Sequence, residues 1–303
     1  MPWDPIQLND GTKIPSVAFG TWTLGNGQPA RDHVDQALET GFDHIDTAQA
    51  YRNEEETGTA LQDSGLARED LYITTKYSGR DGLDVNTSIH NSVKWLGVKY
   101  VDLYLVHHPR LAVPDIPTNW QQMEKVKADG LAKSIGVSNF EIADLEILLA
   151  SAKVKPVANQ ILFHPYVWQR QAPLLEYCKK NGIVVEAYSA LTPLTRQPGG
   201  PVDKAATQIA NRLSVKPEQV LLAWAKSKGV VVVTSSTKKE RLEGYLSAGD
   251  IELSDDDIAA IEAAGALGAR RNLVRTFLTR AIGLALVGSL ALGACSYLGI
   301  DVL

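Results

Sequence analysis

Cysteine is nearly absent from this chain. Two in 303 residues, Cys178 and Cys295, cannot build a disulfide framework and suit a reducing compartment. Positive charge is not in excess: 30 Lys and Arg stand against 35 Asp and Glu, a net charge of −5. Nothing here marks a nucleic-acid partner. The opening Met1-Pro-Trp-Asp-Pro5 lacks the basic and apolar regions of a secretory signal, so a cytoplasmic protein is expected. His and Cys in ordered positions are too few for a structural zinc. His107-His108 is the one pair that invites a metal, but neighbours on a strand point to opposite faces, so none is expected. A dinucleotide fingerprint is missing as well. Gly20-Thr-Trp-Thr-Leu-Gly25 has the wrong spacing, which counts against an open doubly wound sheet.

What is present is a chain 45% hydrophobic and 21% charged, normal for a protein with a large core. Its length allows one large barrel or two small domains. Ile6-Gln-Leu-Asn-Asp-Gly-Thr-Lys-Ile14 alternates around Asn-Asp-Gly and predicts a hairpin. Short, largely apolar strands then follow at 17–20, 44–47, 71–76, 100–107, 132–137, 156–160, 183–187 and 229–233. Helical patterns separate them at 31–39, 53–63, 84–96, 119–129, 141–151, 169–181, 204–212 and 218–227. Buried strands alternating with helices mean a parallel sheet, and eight units close into an α/β barrel, the (β/α)8 or TIM barrel.

Three of the early strands end in polar residues. His44-Ile-Asp-Thr47 delivers Asp46, with Tyr51 in the loop beyond; Leu71-Tyr-Ile-Thr-Thr-Lys76 delivers Lys76; Tyr100-Val-Asp-Leu-Tyr-Leu-Val-His107 delivers His107. In a barrel these four converge at the C-terminal rim, where barrel enzymes keep their chemistry. They suit one task. A phenol, with a pKa of about 10, is a poor acid at neutral pH. A buried ammonium beside it stabilises the phenolate and lowers that pKa, and a carboxylate keeps the ammonium charged and aimed. A neutral imidazole orients a carbonyl oxygen toward the phenol. The set protonates a carbonyl oxygen as hydride reaches its carbon.

Asp46, Tyr51, Lys76 and His107, in this order and strand context, resemble the catalytic tetrad of the aldo-keto reductases. The resemblance runs from about residue 6 to 265. It takes in Gly20-Thr-Trp22, Gly136-Val-Ser-Asn-Phe140, Asn159-Gln160 and Ala187-Tyr-Ser189. His107-His-Pro-Arg-Leu-Ala112 and Thr234-Ser-Ser-Thr-Lys-Lys-Glu-Arg241 look most like the fungal branch that reduces α-keto amides and conjugated polyketones. The resemblance implies NADPH across the barrel mouth. Thr21 and Asp46 belong with the contacts it implies. Ser138, Asn139 and Gln160 end two strands, and their hydroxyl and amide groups suit a nicotinamide carboxamide, although each alone reads as a cap or turn residue. Tyr188 suits stacking on the nicotinamide ring. By the same resemblance Ser189 and Leu191 contact the pyrophosphate, and the loop 192–202 folds over the cofactor.

Many family members carry Pro-Lys-Ser on the 2′-phosphate, where this chain has Thr234, Ser235 and Ser236. A positive charge is missing there. Ser236 and Arg241 keep their register, so NADPH is the expected cofactor, with NADH left open. Trp22 and His108 are candidates for the substrate pocket, His108 lying where many members carry a tryptophan. Strand alternation equally allows His108 to face outward.

The tail is a separate matter. Residues 281–300 hold no charge, about the length that spans a bilayer, and Arg270, Arg271, Arg275 and Arg280 precede them. A barrel of residues 1–269 with a tail of 270–303 anchoring it to a membrane is one reading; a final helix packed on the barrel or in a dimer is the other. Oligomeric state is not encoded legibly. The function expected is carbonyl reduction of a small molecule, a ketone or aldehyde activated by a neighbouring carbonyl. The rival is a cofactor-sensing, membrane-associated subunit on the same fold, which would have little need of a full tetrad. The absence of a second carboxylate-histidine cluster counts against a metal-dependent barrel hydrolase.

Overall fold

A computed structural model of the protein describes residues 3–271. Ile6–Gln7 (β1) and Lys13–Ile14 (β2) form the antiparallel hairpin, with Ile6 opposite Ile14. Eight parallel strands then close a barrel: Val17–Gly20 (β3), His44–Asp46 (β4), Tyr72–Tyr77 (β5), Val101–Val106 (β6), Ala132–Ser138 (β7), Ala158–Leu162 (β8), Val184–Tyr188 (β9) and Val231–Thr234 (β10). Closure comes from β10 against β3, in the register Val232 to Val17.

Helices wrap this barrel: Gln28–Thr40 (α1), Glu54–Asp63 (α2), Val85–Trp95 (α3), Ile116–Ala128 (α4), Ile142–Ser151 (α5), Trp168–Lys180 (α6), Thr192–Thr195 (α7), Pro201–Leu213 (α8), Pro217–Ser227 (α9) and Lys239–Ser247 (α10). Residues 255–271 are helical too. Two starts show why they form where they do. The Asp84 carboxylate accepts from Thr87 N at the head of α3, and Asp115 accepts from Thr118 N at the head of α4, each satisfying a backbone donor that the helix leaves free. That cap, with Pro117 in the first turn where a missing N–H costs nothing, starts α4 at Ile116 rather than at the Asn119 its apolar pattern suggests.

Alternation along the strands fills the barrel in layers. At the bottom, Leu103, Leu105, Ala158 and Val231 pack with Leu8 and Ile14 of the hairpin. Asn9 pins the hairpin there, its Nδ2 donating to the Pro156 and Gly182 carbonyls at 2.9 and 3.1 Å. Toward the top the inward positions turn polar: His44 and Asp46, Thr74 and Lys76, Gln160 and Glu186 are all buried. Neighbouring strands also approach closely. A Cβ on Gly136 would lie 2.7 Å from the Ala158 carbonyl and 2.8 Å from Leu105, so β7 takes glycine at this point.

The boundary expected at 269/270 falls inside the last described helix. The apolar stretch 281–300, with Arg275 and Arg280, lies outside the described residues. Among the described residues no helix is long and apolar enough to cross a membrane.

Candidate active site

Four elements bring Asp46, Tyr51, Lys76 and His107 together at the C-terminal rim. Asp46 closes β4, and Lys76 projects inward from β5 two residues beyond Thr74. The turn Gln49–Tyr51 swings Tyr51 back over the barrel mouth, helped by a left-handed Arg52 at φ 62°. His107 follows the last residue of β6, and its N–H donates to the Tyr77 carbonyl at 3.1 Å. Lys76 is fully buried. Its Nζ donates to Asp46 Oδ1 at 2.6 Å, to the Thr47 carbonyl at 2.9 Å and to the Tyr51 hydroxyl at 3.4 Å. The Tyr51 and His107 rings meet edge to face with centroids 5.5 Å apart.

The electrostatics follow from this burial. Desolvation alone would pull the Lys76 ammonium down, but Asp46 and Tyr51 beside it hold it above the ordinary lysine value. It therefore stays charged. Burial lowers His107 to about 3, with Lys76 adding to the effect, so the imidazole is neutral throughout the physiological range. Tyr51 departs from the sequence expectation. Lys76 does favour its phenolate, yet burial is the larger influence and Asp46 opposes the lysine, so the hydroxyl lies above the ordinary phenol value. It enters any reaction protonated.

A cleft of ≈ 670 Å³ opens above this set, lined by Asp46, Tyr51 and His107 on its floor and by Trp22, Ser138, Asn139, Gln160, Tyr188, Ser189, Leu191, Ser235 and Arg241 around it. Gln160 Nε2 donates to Asp46 Oδ2 at 2.7 Å, and Ser138 Oγ donates to the Gln160 carbonyl at 2.9 Å. Asn139, left-handed at φ 61°, donates through Nδ2 to the His107 carbonyl at 3.0 Å and accepts the Tyr188 hydroxyl at 2.9 Å. Gln160 Oε1 and a second lone pair on Asn139 Oδ1 remain as acceptors. Two amide oxygens on cleft-lining side chains fit a carboxamide NH2, so the donor set suits a nicotinamide group. Arg241 lines the cleft while its Nε lies 3.4 Å from Glu218 Oε1.

Besides the buried Lys76, three candidates lie off the cleft lining. Thr21 is fully buried, and its Oγ1 donates to Thr47 Oγ1 and Asn53 Oδ1 at 2.9 and 3.1 Å, which ties the first rim loop down. His108 does not line the cleft, and its Nδ1 accepts the Arg110 N–H at 3.2 Å to start the turn Pro109–Leu111. Ser236 is half-buried, with its hydroxyl taking the Lys238 N–H at 3.1 Å. Thr195 and Arg196, from the loop expected over the cofactor, also line the cleft, as do Thr23 and Tyr245, which the sequence did not single out. Arg196 stands 5.9 Å from the centroid of the Trp22 ring, itself 55% exposed, so two loops face each other across the mouth. Glu186 was also missed, being one acidic residue inside an apolar strand. No group of three or more His, Cys, Asp or Glu able to hold a metal occurs among the described residues.

Comparison with known proteins agrees with this architecture. The sequence model of the aldo/keto reductase family matches residues 16–266. An NAD/NADP-dependent indole-3-acetaldehyde reductase of Schizosaccharomyces pombe is 39% identical over 279 residues, 88% of this chain and 96% of that protein. A glyoxal reductase of Bacillus subtilis is 37% identical over 263 residues, 86% of this chain and 92% of that protein. Among solved structures, a Bombyx mori aldo-keto reductase in complex with NADP superposes with a TM-score of 0.79 at 34% identity, over 86% of this chain and 92% of that one. The chain belongs to the aldo/keto reductase family.

Proposed function

We propose that this protein is an NADPH-dependent carbonyl reductase that turns ketones or aldehydes into alcohols, with Tyr51 as the proton donor. One observation carries the reading: an Asp46-paired ammonium touches a protonated phenol beside a neutral imidazole, on the floor of an open cleft. When bound, the reduced nicotinamide supplies a hydride to the carbonyl carbon. Charge gathers on the carbonyl oxygen, and Tyr51 gives that oxygen its proton. Lys76 stabilises the phenolate left behind, while Asp46 and the Thr47 carbonyl keep the ammonium aimed. His107, neutral, donates a hydrogen bond that holds the oxygen without surrendering its own proton.

Ser138, Asn139 and Gln160 hold the carboxamide, Tyr188 supports the ring, Ser189 and Leu191 take the pyrophosphate, and Ser235 and Arg241 serve the 2′-phosphate end. With no lysine in Thr234-Ser235-Ser236, Ser236 and Arg241 keep the register and Lys238 and Lys239 lie close by in the sequence, so NADPH is favoured and NADH accepted. A relative named as NAD/NADP-dependent supports that breadth. The substrates are carbonyls activated by an adjacent carbonyl, in line with the α-keto amide branch resemblance and with the similarity to a glyoxal reductase.

The test is NADPH oxidation by the purified protein with α-diketones, α-keto amides and aldoses, and NADH in parallel. Fastest turnover with the activated dicarbonyls supports the reading. Equal turnover of aldoses removes the substrate assignment. No turnover, with NADPH still quenching tryptophan fluorescence, removes the reductase itself.

A further inference from the structure

Glu186 is a buried carboxyl that the chemistry above leaves unused. It lies in the inward series Val184, Glu186, Tyr188 of β9 and is fully buried. Its ladder neighbours, Gln160 on β8 and Val231 on β10, are uncharged. The titratable groups acting on it from across the barrel are Asp46 on β4 and Lys76 and Tyr72 on β5. Gln160 links it to the tetrad. The amide Nε2 gives one hydrogen to Asp46 Oδ2 at 2.7 Å and turns the other toward Glu186 Oε2 at 3.5 Å. The reverse orientation would set the amide oxygen against the Asp46 carboxylate, so the direction of these bonds is fixed. Glu186 Oε1 has no hydrogen-bond partner among the described residues.

Counting charges gives the state of the group. Lys76 is the one buried Lys or Arg among the described residues, and Asp46 already pairs with it at 2.6 Å. A second carboxylate would be buried without compensation. Burial, reinforced by Asp46, pushes Glu186 up to about 8, so the neutral acid is the resting form at neutral pH.

We propose that Glu186 is a positioning residue of the reductase site: its neutral form steers Gln160 onto Asp46 and leaves the Lys76 charge to Asp46 and Tyr51, and its ionisation turns the site down. The proton lost goes to solvent and takes no part in the transfer to substrate. Once ionised, Glu186 competes with Asp46 for the Gln160 amide and with Tyr51 for the field of Lys76. The phenolate formed by proton transfer is then less stabilised, and Tyr51 becomes a weaker acid. This rests on the reductase reading.

Two measurements test it. The first is kcat/KM for an α-diketone against pH at saturating NADPH, for the wild type and Glu186→Gln, which keeps an acceptor oxygen and cannot ionise. The wild type bends downward near pH 8, the value set by Glu186, losing up to about tenfold per pH unit above it. Glu186→Gln, whatever its height, runs through that region without the bend. The second is the infrared difference spectrum of the cofactor-free protein between neutral and alkaline pH. A protonated-carboxyl C=O band disappears on going alkaline in the wild type and is missing from Glu186→Gln. An identical bend in both proteins, or no such band in the wild type, overturns the role of Glu186 while leaving the reductase standing. No wild-type turnover at any pH overturns the reductase reading, and the role with it.

Discussion

At the scale of single residues, the site depends on one cation buried among acids. Removing that charge with Lys76→Met leaves the Asp46 carboxylate buried and unpaired. We expect turnover to vanish and unfolding to become easier by about 3–5 kcal/mol, read from urea denaturation. Glu186 gives a prediction of opposite character. Its folded value of about 8 lies above the ordinary 4.5, so its contribution to stability is complete below pH 4.5 and is lost as pH rises through 8. Glu186→Gln lacks this loss. The stability of the variant minus that of the wild type should climb between those pH values by about 1.4 kcal/mol per unit; a constant difference would contradict the neutral acid. The tetrad was legible because each member sits at or just past a strand end, where order along the chain dictates placement at the rim. Glu186 was not, since in Ile183-Val-Val-Glu-Ala187 only the pairing of β9 with β8 shows that it reaches Gln160. Thr21 and His108 were legible as rim residues, but their local partners, Asn53 and Arg110, were not, because those bonds form beyond the strand ladders.

At the scale of elements, apolar periodicity carried the eight strands and most of the helices, because each strand is short, nearly all apolar and bounded by turn residues. It did not carry helix starts set by capping, as at Asp115, nor the extent of the helix Lys239–Ser247, of which only a basic start at Lys238 and Lys239 is legible. Close backbone approaches are equally hidden, for glycine has no pattern of its own. Gly136→Ala would drive a Cβ to 2.7 Å from the Ala158 carbonyl, which must move the β7–β8 pair. We expect a loss of about 1–3 kcal/mol, visible in the melting temperature, and weaker cofactor binding because Ser138 and Gln160 sit on those two strands. An unchanged melting temperature would show that the pair yields freely.

At the scale of the whole molecule, one end of the barrel is sealed for stability and the other is open for chemistry. The hairpin and its Leu8, Ile14 plug close the bottom, and the rim holds every residue of the proposed reaction. The last described helix belongs to this body: Gly265 and Gly268 let it lie directly on Pro165 and Tyr166, and the Tyr166 hydroxyl accepts the Val202 N–H at 3.4 Å where α8 begins. A fragment of residues 1–271 should therefore melt with the full chain and keep its turnover. A fragment that folds but loses turnover would assign the remaining residues to the pocket. The most direct test of the account is Tyr51→Phe, followed by NADPH oxidation with an α-diketone and by quenching of tryptophan fluorescence on NADPH binding. The ring stays and only the acidic proton goes, so turnover should disappear while NADPH affinity is retained. Turnover that survives the change would contradict the assignment of Tyr51 as the acid, and with it the mechanism built on Lys76.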